Sequence, residues 1–297
     1  MKSIRLIVLI GCLLSANVFA KDASARQFVI PNTDTFDIVD SHENRPYQIY
    51  VKFPVRYDPS ISYPVIYMTD GDYLFPTLAG SLGIPMSAGK ITNSFLVGIS
   101  WQRDISARSS RIRDYTHAVD ESWKHTTGGA SHHLSFIRDV VIPTIEEKYK
   151  TDPSSRTYVG NSLGGLFGGY VLLQAPEIFK NYVLSSPSFW FDDESLLTDV
   201  VKFDAKNINA NVYISVGSLE TPDTGETIHD MVDVAQRFHA VLVSKNSPSL
   251  RLHFSEVEAA NHEVAFATSV IQGLYWLSRP GTQQTVLPDH FHTAGNT

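Results

Sequence analysis

The stretch RTYVGNSLGGLFGGYVLL, residues 156–173, reads as a short strand, a turn too tight for ordinary side chains, and a helix, with Ser162 at the apex of the turn. Gly160-Asn161-Ser162-Leu163-Gly164 matches G-x-S-x-G, the pattern of a nucleophile elbow. Glycines flank the serine there because a Cβ at either position collides with the chain as it folds back. A five-residue match also fits a serine that only caps a helix N-terminus. Context favours the elbow. Thr157-Tyr158-Val159 is β-prone, and Gly165, Gly168 and Gly169 are poor helix formers that suit a helix pressed close against a sheet.

Upstream of the elbow, Thr35–Val39 and Tyr47–Phe53 read as an antiparallel pair around the Ser41-His42-Glu43-Asn44 turn. Pro64–Met68 and Phe95–Ile99 read as buried strands, the first broken by Asp70-Gly71-Asp72. Residues 101–131 are predicted to form a long loop of poor periodicity, the kind of connection that tends to be functional. Leu134–Tyr149 has helical spacing, with Pro143 expected to bend or interrupt it. Beyond the elbow helix the chain alternates: Tyr182–Ser185 strand, Glu194–Phe203 helix, Asn211–Val216 strand, Ile228–Val243 helix, Leu250–Val257 strand, Glu263–Leu277 helix. Such alternation implies right-handed crossovers and an α/β fold with a mainly parallel central sheet and helices on both faces. Ligand sites in these sheets lie at the carboxyl ends of the strands.

A serine hydroxyl needs a base within hydrogen-bond reach, usually a histidine oriented by a carboxylate. In the α/β-hydrolase arrangement the chain order is serine, acid, histidine, each after a strand. Of the histidines after Ser162, His229 and His239 fall in a predicted helix, His253 inside a strand, and His290 and His292 in the tail. His262, in Glu258-Ala259-Ala260-Asn261-His262-Glu263, is both loop-borne and at a strand end. Glu220 follows the preceding strand and is the favoured acid, with Asp223, Glu226, Asp192 and Asp193 as alternatives. The oxyanion of acyl transfer needs preorganised donors. The backbone N–H groups of Leu163 and Asp72 are the candidates, Gly71 being expected to permit the turn that brings Asp72 in. No spacing of zinc ligands occurs: His132-His133 are adjacent, and His262-Glu263 lacks the second histidine of H-E-x-x-H. No metal or cofactor is expected.

The 297 residues, 43% hydrophobic and 19% charged, suit one large domain with a substantial core, over residues 21–297. Residues 1–20 differ in kind. Lys2 and Arg5 precede the apolar run Leu6–Leu14, and Val18-Phe19-Ala20 places small residues before Lys21, the layout of a cleavable secretory signal. That predicts a periplasmic or secreted protein. Leu9-Ile10-Gly11-Cys12 also fits a lipoprotein box, which would make Cys12 an anchor, but cleavage there strands the apolar residues that follow. Cleavage after Ala20 removes the single cysteine and leaves 22 basic against 31 acidic residues, a net charge of −9. Such a surface disfavours nucleic acid and anionic membranes, and no later stretch is long and apolar enough to insert in a bilayer. Residues 280–297 read as a loosely held tail.

The chain resembles an esterase family of α/β-hydrolases that includes siderophore esterases of the enterobactin type, S-formylglutathione hydrolases, feruloyl esterases and mycolyltransferases, and is most similar to the siderophore-esterase branch. The resemblance spans about residues 35–278. It is carried by Tyr63-Pro64-Val65-Ile66-Tyr67 with Asp70-Gly71, by Arg111-Ile112-Arg113-Asp114-Tyr115-Thr116, by Gly160–Phe167, by Ser185-Ser186-Pro187-Ser188-Phe189-Trp190, and by Asn261-His262. It implies the α/β-hydrolase fold, carboxylic-ester hydrolysis of a small-molecule ester through an acyl-enzyme, Ser162 as nucleophile, His262 as base, and Leu163 and Asp72 as oxyanion donors; it matches Glu220 less firmly. The family's usual histidine before the serine is Asn161 here. Arg103, Arg108, Arg111 and Arg113 would suit an anionic substrate such as a ferric catecholate, or else pair with scaffold carboxylates; Trp190 would line the pocket or pack beneath it. Acyl transfer, thioester or peptide hydrolysis on the same residues, and a silent binding protein on the same fold, stay open from sequence alone.

Overall fold

The computed structural model describes residues 27–279. The expected signal segment with Cys12, and the tail from residue 280, lie outside the described residues.

The chain runs β1 (Thr33–Asp40), β2 (Arg45–Lys52), β3 (Tyr63–Met68), α1 (Gly71–Ser81), α2 (Gly83–Ser87), β4 (Phe95–Ile99), α3 (Ala107–Tyr115), α4 (Ala130–Phe136), a π-helical turn (Ile137–Val141), α5 (Ile142–Lys148), β5 (Thr151–Asn161) and α6 (Leu163–Gln174). It continues β6 (Asn181–Ser185), α7 (Phe191–Lys202), β7 (Ala210–Gly217), α8 (Met231–Ser244), β8 (Leu250–Val257) and α9 (His262–Leu277). The eight strands form one sheet in the order β1-β2-β4-β3-β5-β6-β7-β8. β1, β2 and β4 pair antiparallel, and every pairing from β4 through β3 to β8 is parallel. The fold is the α/β-hydrolase fold.

The apolar runs of the strands are continuous rather than alternating because both faces of the sheet are covered. Val65 and Tyr67 of β3, Tyr158 of β5 and Leu184 of β6 pack on one face with Leu134, Phe167, Leu196 and Val234 from α4, α6, α7 and α8. Their strand neighbours Ile66, Met68, Val159 and Val183 point to the other face, against Leu74 of α1 and Phe266 and Val270 of α9. The helix after the elbow is as close to the sheet as its glycines suggest: a Cβ on Gly168 would sit 2.4 Å from Tyr158 and 2.5 Å from Leu184.

Gly71–Ser81 and Gly83–Ser87 are helices in a stretch the sequence reading leaves unassigned; Leu74 and Leu78 of the first are spaced by four, with Pro76 and Gly80 masking the period. Two local expectations are corrected. The stretch 101–131 is not all loop: Ser106 caps α3 by accepting the Ser109 N–H at 3.1 Å. Arginines and serines occupy most of that helix, so its apolar stripe is thin. Pro143 does not break its helix, because the π-helical turn at Ile137–Val141 absorbs the mismatch and the helical course continues from Ala130 to Lys148. α7 opens with a left-handed turn, Asp192, Asp193 and Glu194 having φ of 51°, 47° and 62°. Such residues cost about 1–2 kcal/mol each, and Arg237 braces the turn with two bonds of 2.6 and 2.7 Å to the Glu194 carboxylate.

Candidate active site

Ser162 sits between β5 and α6 with φ 59° and ψ −120°, outside the regions an ordinary residue occupies. Three hydrogen bonds hold it there: its N–H donates to the Ser185 carbonyl at 3.0 Å, and its carbonyl accepts from Ser188 N–H at 3.1 Å and from Leu166 N–H at 3.0 Å. Gly160 has no room for a Cβ, which would drive into the Gly164 carbonyl. The Ser162 hydroxyl lies 3.3 Å from the Ser188 hydroxyl and opens on a cleft of about 440 Å³. Tyr73, Thr77, Arg111, Asn161, His262, Val264 and Phe266 share that cleft.

His262 is the first residue of α9, whose start Asn261 caps by accepting the Val264 N–H. Its Nδ1 lies 2.6 Å from Glu220 Oε2. Glu220 is fully buried. Its other oxygen accepts from Gly217 N–H at 2.7 Å and from the Ser186 hydroxyl at 2.5 Å. The acid loop and the histidine loop are stitched together by Ser218 N–H to the Val257 carbonyl and Leu219 N–H to the Ala260 carbonyl, both 3.0 Å. The other carboxylates considered stand elsewhere: Glu226 accepts from Asn261 Nδ2 at 3.1 Å, Asp223 lies on the exposed turn Pro222–Thr224, and Asp192 and Asp193 belong to the left-handed turn of α7. Of the five, Glu220 is the one brought to His262.

Leu163 and Asp72 lie in the first turns of α6 and α1, where backbone N–H groups have no partner within the helix and meet the positive end of its dipole. Gly71 does not make the turn into α1. Asp70 does, at φ 56°, and Gly71 is small because a Cβ would sit 2.9 Å from the Gly98–Ile99 backbone of β4. The Asp70 side chain, which sequence reasoning passed over, is fully buried and accepts from Arg111 Nε at 2.8 Å and Trp101 Nε1 at 2.7 Å. Arg111 also donates to the carbonyl of Asn161, next to Ser162, at 3.2 Å.

The structure places Arg111 in the cleft and removes two other expected contacts. Arg113 is paired with Asp114 at 2.8 Å and does not line the cleft. Trp190 does not line it either: it stacks on His229, with centroids 3.9 Å apart and planes 6° apart, and neighbours Trp123 at 6.2 Å. Burial pushes the His229 imidazole below its ordinary value, so a neutral ring faces Trp190. Arg103 is tied to Asp72 at 2.6 Å. Among the described residues no cluster of three or more His, Cys, Asp or Glu side chains is placed to hold a metal ion, and no helix is long and apolar enough to cross a membrane.

A serine held at positive φ between a parallel strand and a buried helix, with a glutamate after β7 and a histidine after β8 at the same edge of the sheet, is the arrangement of an α/β-hydrolase-type serine hydrolase. The family model described as "Putative esterase" matches residues 41–277, and the chain belongs to that family. It is an esterase. The ferri-bacillibactin esterase BesA of Bacillus subtilis is 28% identical over 275 residues, covering 86% of this chain and 93% of that protein. The siderophore triacetylfusarinine C esterase of Aspergillus fumigatus is 25% identical over 271 residues, covering 82% and 92%. The crystal structure of the BES protein from Bacillus cereus superposes with a TM-score of 0.76 at 29% identity, over 86% of this chain and 98% of that one.

Proposed function

We propose that the protein hydrolyses the ester bonds of a siderophore through an acyl-enzyme on Ser162. The observation that carries this reading is the pairing of buried Glu220 with the cleft-facing His262 at 2.6 Å, on the same strand-end edge as a serine held at φ 59°. Glu220 fixes the tautomer in which His262 Nε2 is free to accept a proton. The Ser162 hydroxyl turns from Ser188 toward that nitrogen and, as its proton leaves, attacks the ester carbonyl. The oxyanion is met by the N–H groups of Leu163 and Asp72, each such donor being worth about 3 kcal/mol of barrier. His262 then protonates the leaving alkoxide and activates the water that releases the acid.

Two relatives whose names specify siderophore esters favour a siderophore ester as the substrate; Arg111 at the cleft is already paired with Asp70 and adds no argument for an anionic one. The segment at residues 1–20 supports export, and N-terminal sequencing of the mature protein is expected to begin at Lys21. Ser162→Ala should abolish labelling by a fluorophosphonate and cut kcat by about 10⁴-fold or more. A panel of ferric siderophore esters, short p-nitrophenyl esters, feruloyl esters and S-formylglutathione assigns the substrate: kcat/KM highest on a siderophore supports the proposal, and a flat or reversed ranking refutes the siderophore assignment.

A further inference from the structure

Ser186 is fully buried and has no part in the chemistry above. It follows β6, the strand lying between β5, which delivers Ser162, and β7, whose loop delivers Glu220. Its backbone is held at φ 41°, in the left-handed region, by an N–H donated to the Ser215 carbonyl at 2.7 Å. Its hydroxyl donates to Glu220 Oε1 at 2.5 Å; a carboxylate only accepts, so the serine is the donor.

Glu220 differs from the buried Asp70 and Asp114, which pair with arginines, in how its charge is met. Among the described residues no lysine or arginine pairs with it. The carboxylate rests on two neutral donors at Oε1, Ser186 and Gly217, and on His262 at Oε2. Pinning Oε1 from two directions leaves Oε2 as the single face for the imidazole. Without the serine, one of the two donors that fix Oε1 is gone, the carboxyl is freer to rotate, and Oε2 no longer holds the imidazole in one direction.

We infer that Ser186 is a positioning residue, acting through Glu220 to hold His262 in its reactive tautomer and orientation. This rests on the assignment of Ser162, His262 and Glu220 given above. The competing role, that Ser186 only fills the end of β6, moves stability without touching proton chemistry. The strained φ separates the two further, because glycine relieves the strain while deleting the hydroxyl.

The test uses the full-length protein and a short p-nitrophenyl ester, comparing Ser186→Ala, Ser186→Gly, Glu220→Gln and the Ser186→Ala/Glu220→Gln double variant. Loss of one hydrogen bond to a charged group should lower kcat by about 10–100-fold in both Ser186 variants. KM should stay within about twofold, the pattern of a lost transition-state contribution. In the Glu220→Gln background, where no charge remains to be held, removing the hydroxyl should change kcat by less than about threefold. Should Ser186→Ala fail to fold, Ser186→Gly carries the same readings. The inference is overturned by a kcat within twofold of wild type, by an equal loss in both backgrounds, by a loss carried in KM rather than kcat, or by recovery of the rate in Ser186→Gly. Failure of the triad itself looks different: Ser162→Ala would then keep wild-type turnover.

Discussion

Asp70, just after β3, and Glu220, just after β7, are both fully buried carboxylates at the carboxyl edge of one sheet, and their donors differ in kind. Asp70 is met by the guanidinium of Arg111 and the indole N–H of Trp101, while its own N–H donates to the Tyr115 hydroxyl at 3.0 Å. Arginine does not give up its proton at any pH a protein survives, so this pair is permanent. Glu220 is met by neutral donors and by a histidine 2.6 Å away that can take a proton and return it. The contrast teaches how one fold divides labour at one edge. Asp70–Arg111 braces the elbow through the Asn161 carbonyl, and Glu220–His262 is left able to move charge.

The comparison predicts opposite signatures for two conservative amides. Glu220→Gln should keep the shape of the loop and lower kcat by about 10⁴-fold, the scale seen when an amide replaces the acid of such a triad. Urea unfolding should change little beside that. Asp70→Asn should reverse the pattern. Asparagine tolerates the φ of 56°, so the backbone is not at issue. Leaving Arg111 beside an uncharged partner should cost about 3–5 kcal/mol of stability. We expect kcat to fall by less than tenfold. A Glu220→Gln enzyme with a near-normal rate, or an Asp70→Asn protein as stable as wild type, breaks the division.

Legibility in the sequence followed the reach of each interaction. The elbow is local: Gly160, Ser162 and the glycines of α6 impose a backbone path within a few residues, and they predicted strand, turn and helix where the structure has them. The parallel sheet was legible because strands buried on both faces read as unbroken apolar runs. Glu220 is favoured in the sequence among five carboxylates, and what singles it out, the Ser218 and Leu219 bonds to the histidine loop, joins residues about forty apart. The side-chain roles of Asp70 and Ser186 had no sequence signal at all. Each is a polar residue after a strand, and what distinguishes it is the donor or acceptor that a distant segment supplies. Trp190 and Arg113 misled for the converse reason: both types suit a substrate, and here Trp190 found His229 while Arg113 found Asp114.

His133 gives the comparison its control, an imidazole with no carboxylate to answer it. It is 2% exposed, neither ring nitrogen has a hydrogen-bond partner, and it sits among Tyr47, Tyr115, Phe136 and Phe167 with centroids 5.2–5.9 Å away. Burial pushes its pKa below the ordinary histidine value; Asp114 and Asp40 oppose this, while Arg113 and Arg45 reinforce it. A folded-state value below the unfolded one means that the unfolded chain binds the extra proton first. The neutral ring therefore costs nothing above about pH 6.5, and stability is lost as pH falls from there toward the folded-state value. The slope is about 1.4 kcal/mol per pH unit for one proton. His133→Leu should flatten the urea-unfolding stability curve between pH 7 and 5 by up to that slope, with kcat at pH 7.5 within about twofold of wild type because no catalytic group contacts the ring. Parallel curves for the two proteins would mean that His133 does not titrate in this window and that acid sensitivity resides elsewhere. A flattened curve would show that the same side chain, 2.6 Å from Glu220 in one place and walled by aromatics in the other, serves proton transfer only where a carboxylate was built for it.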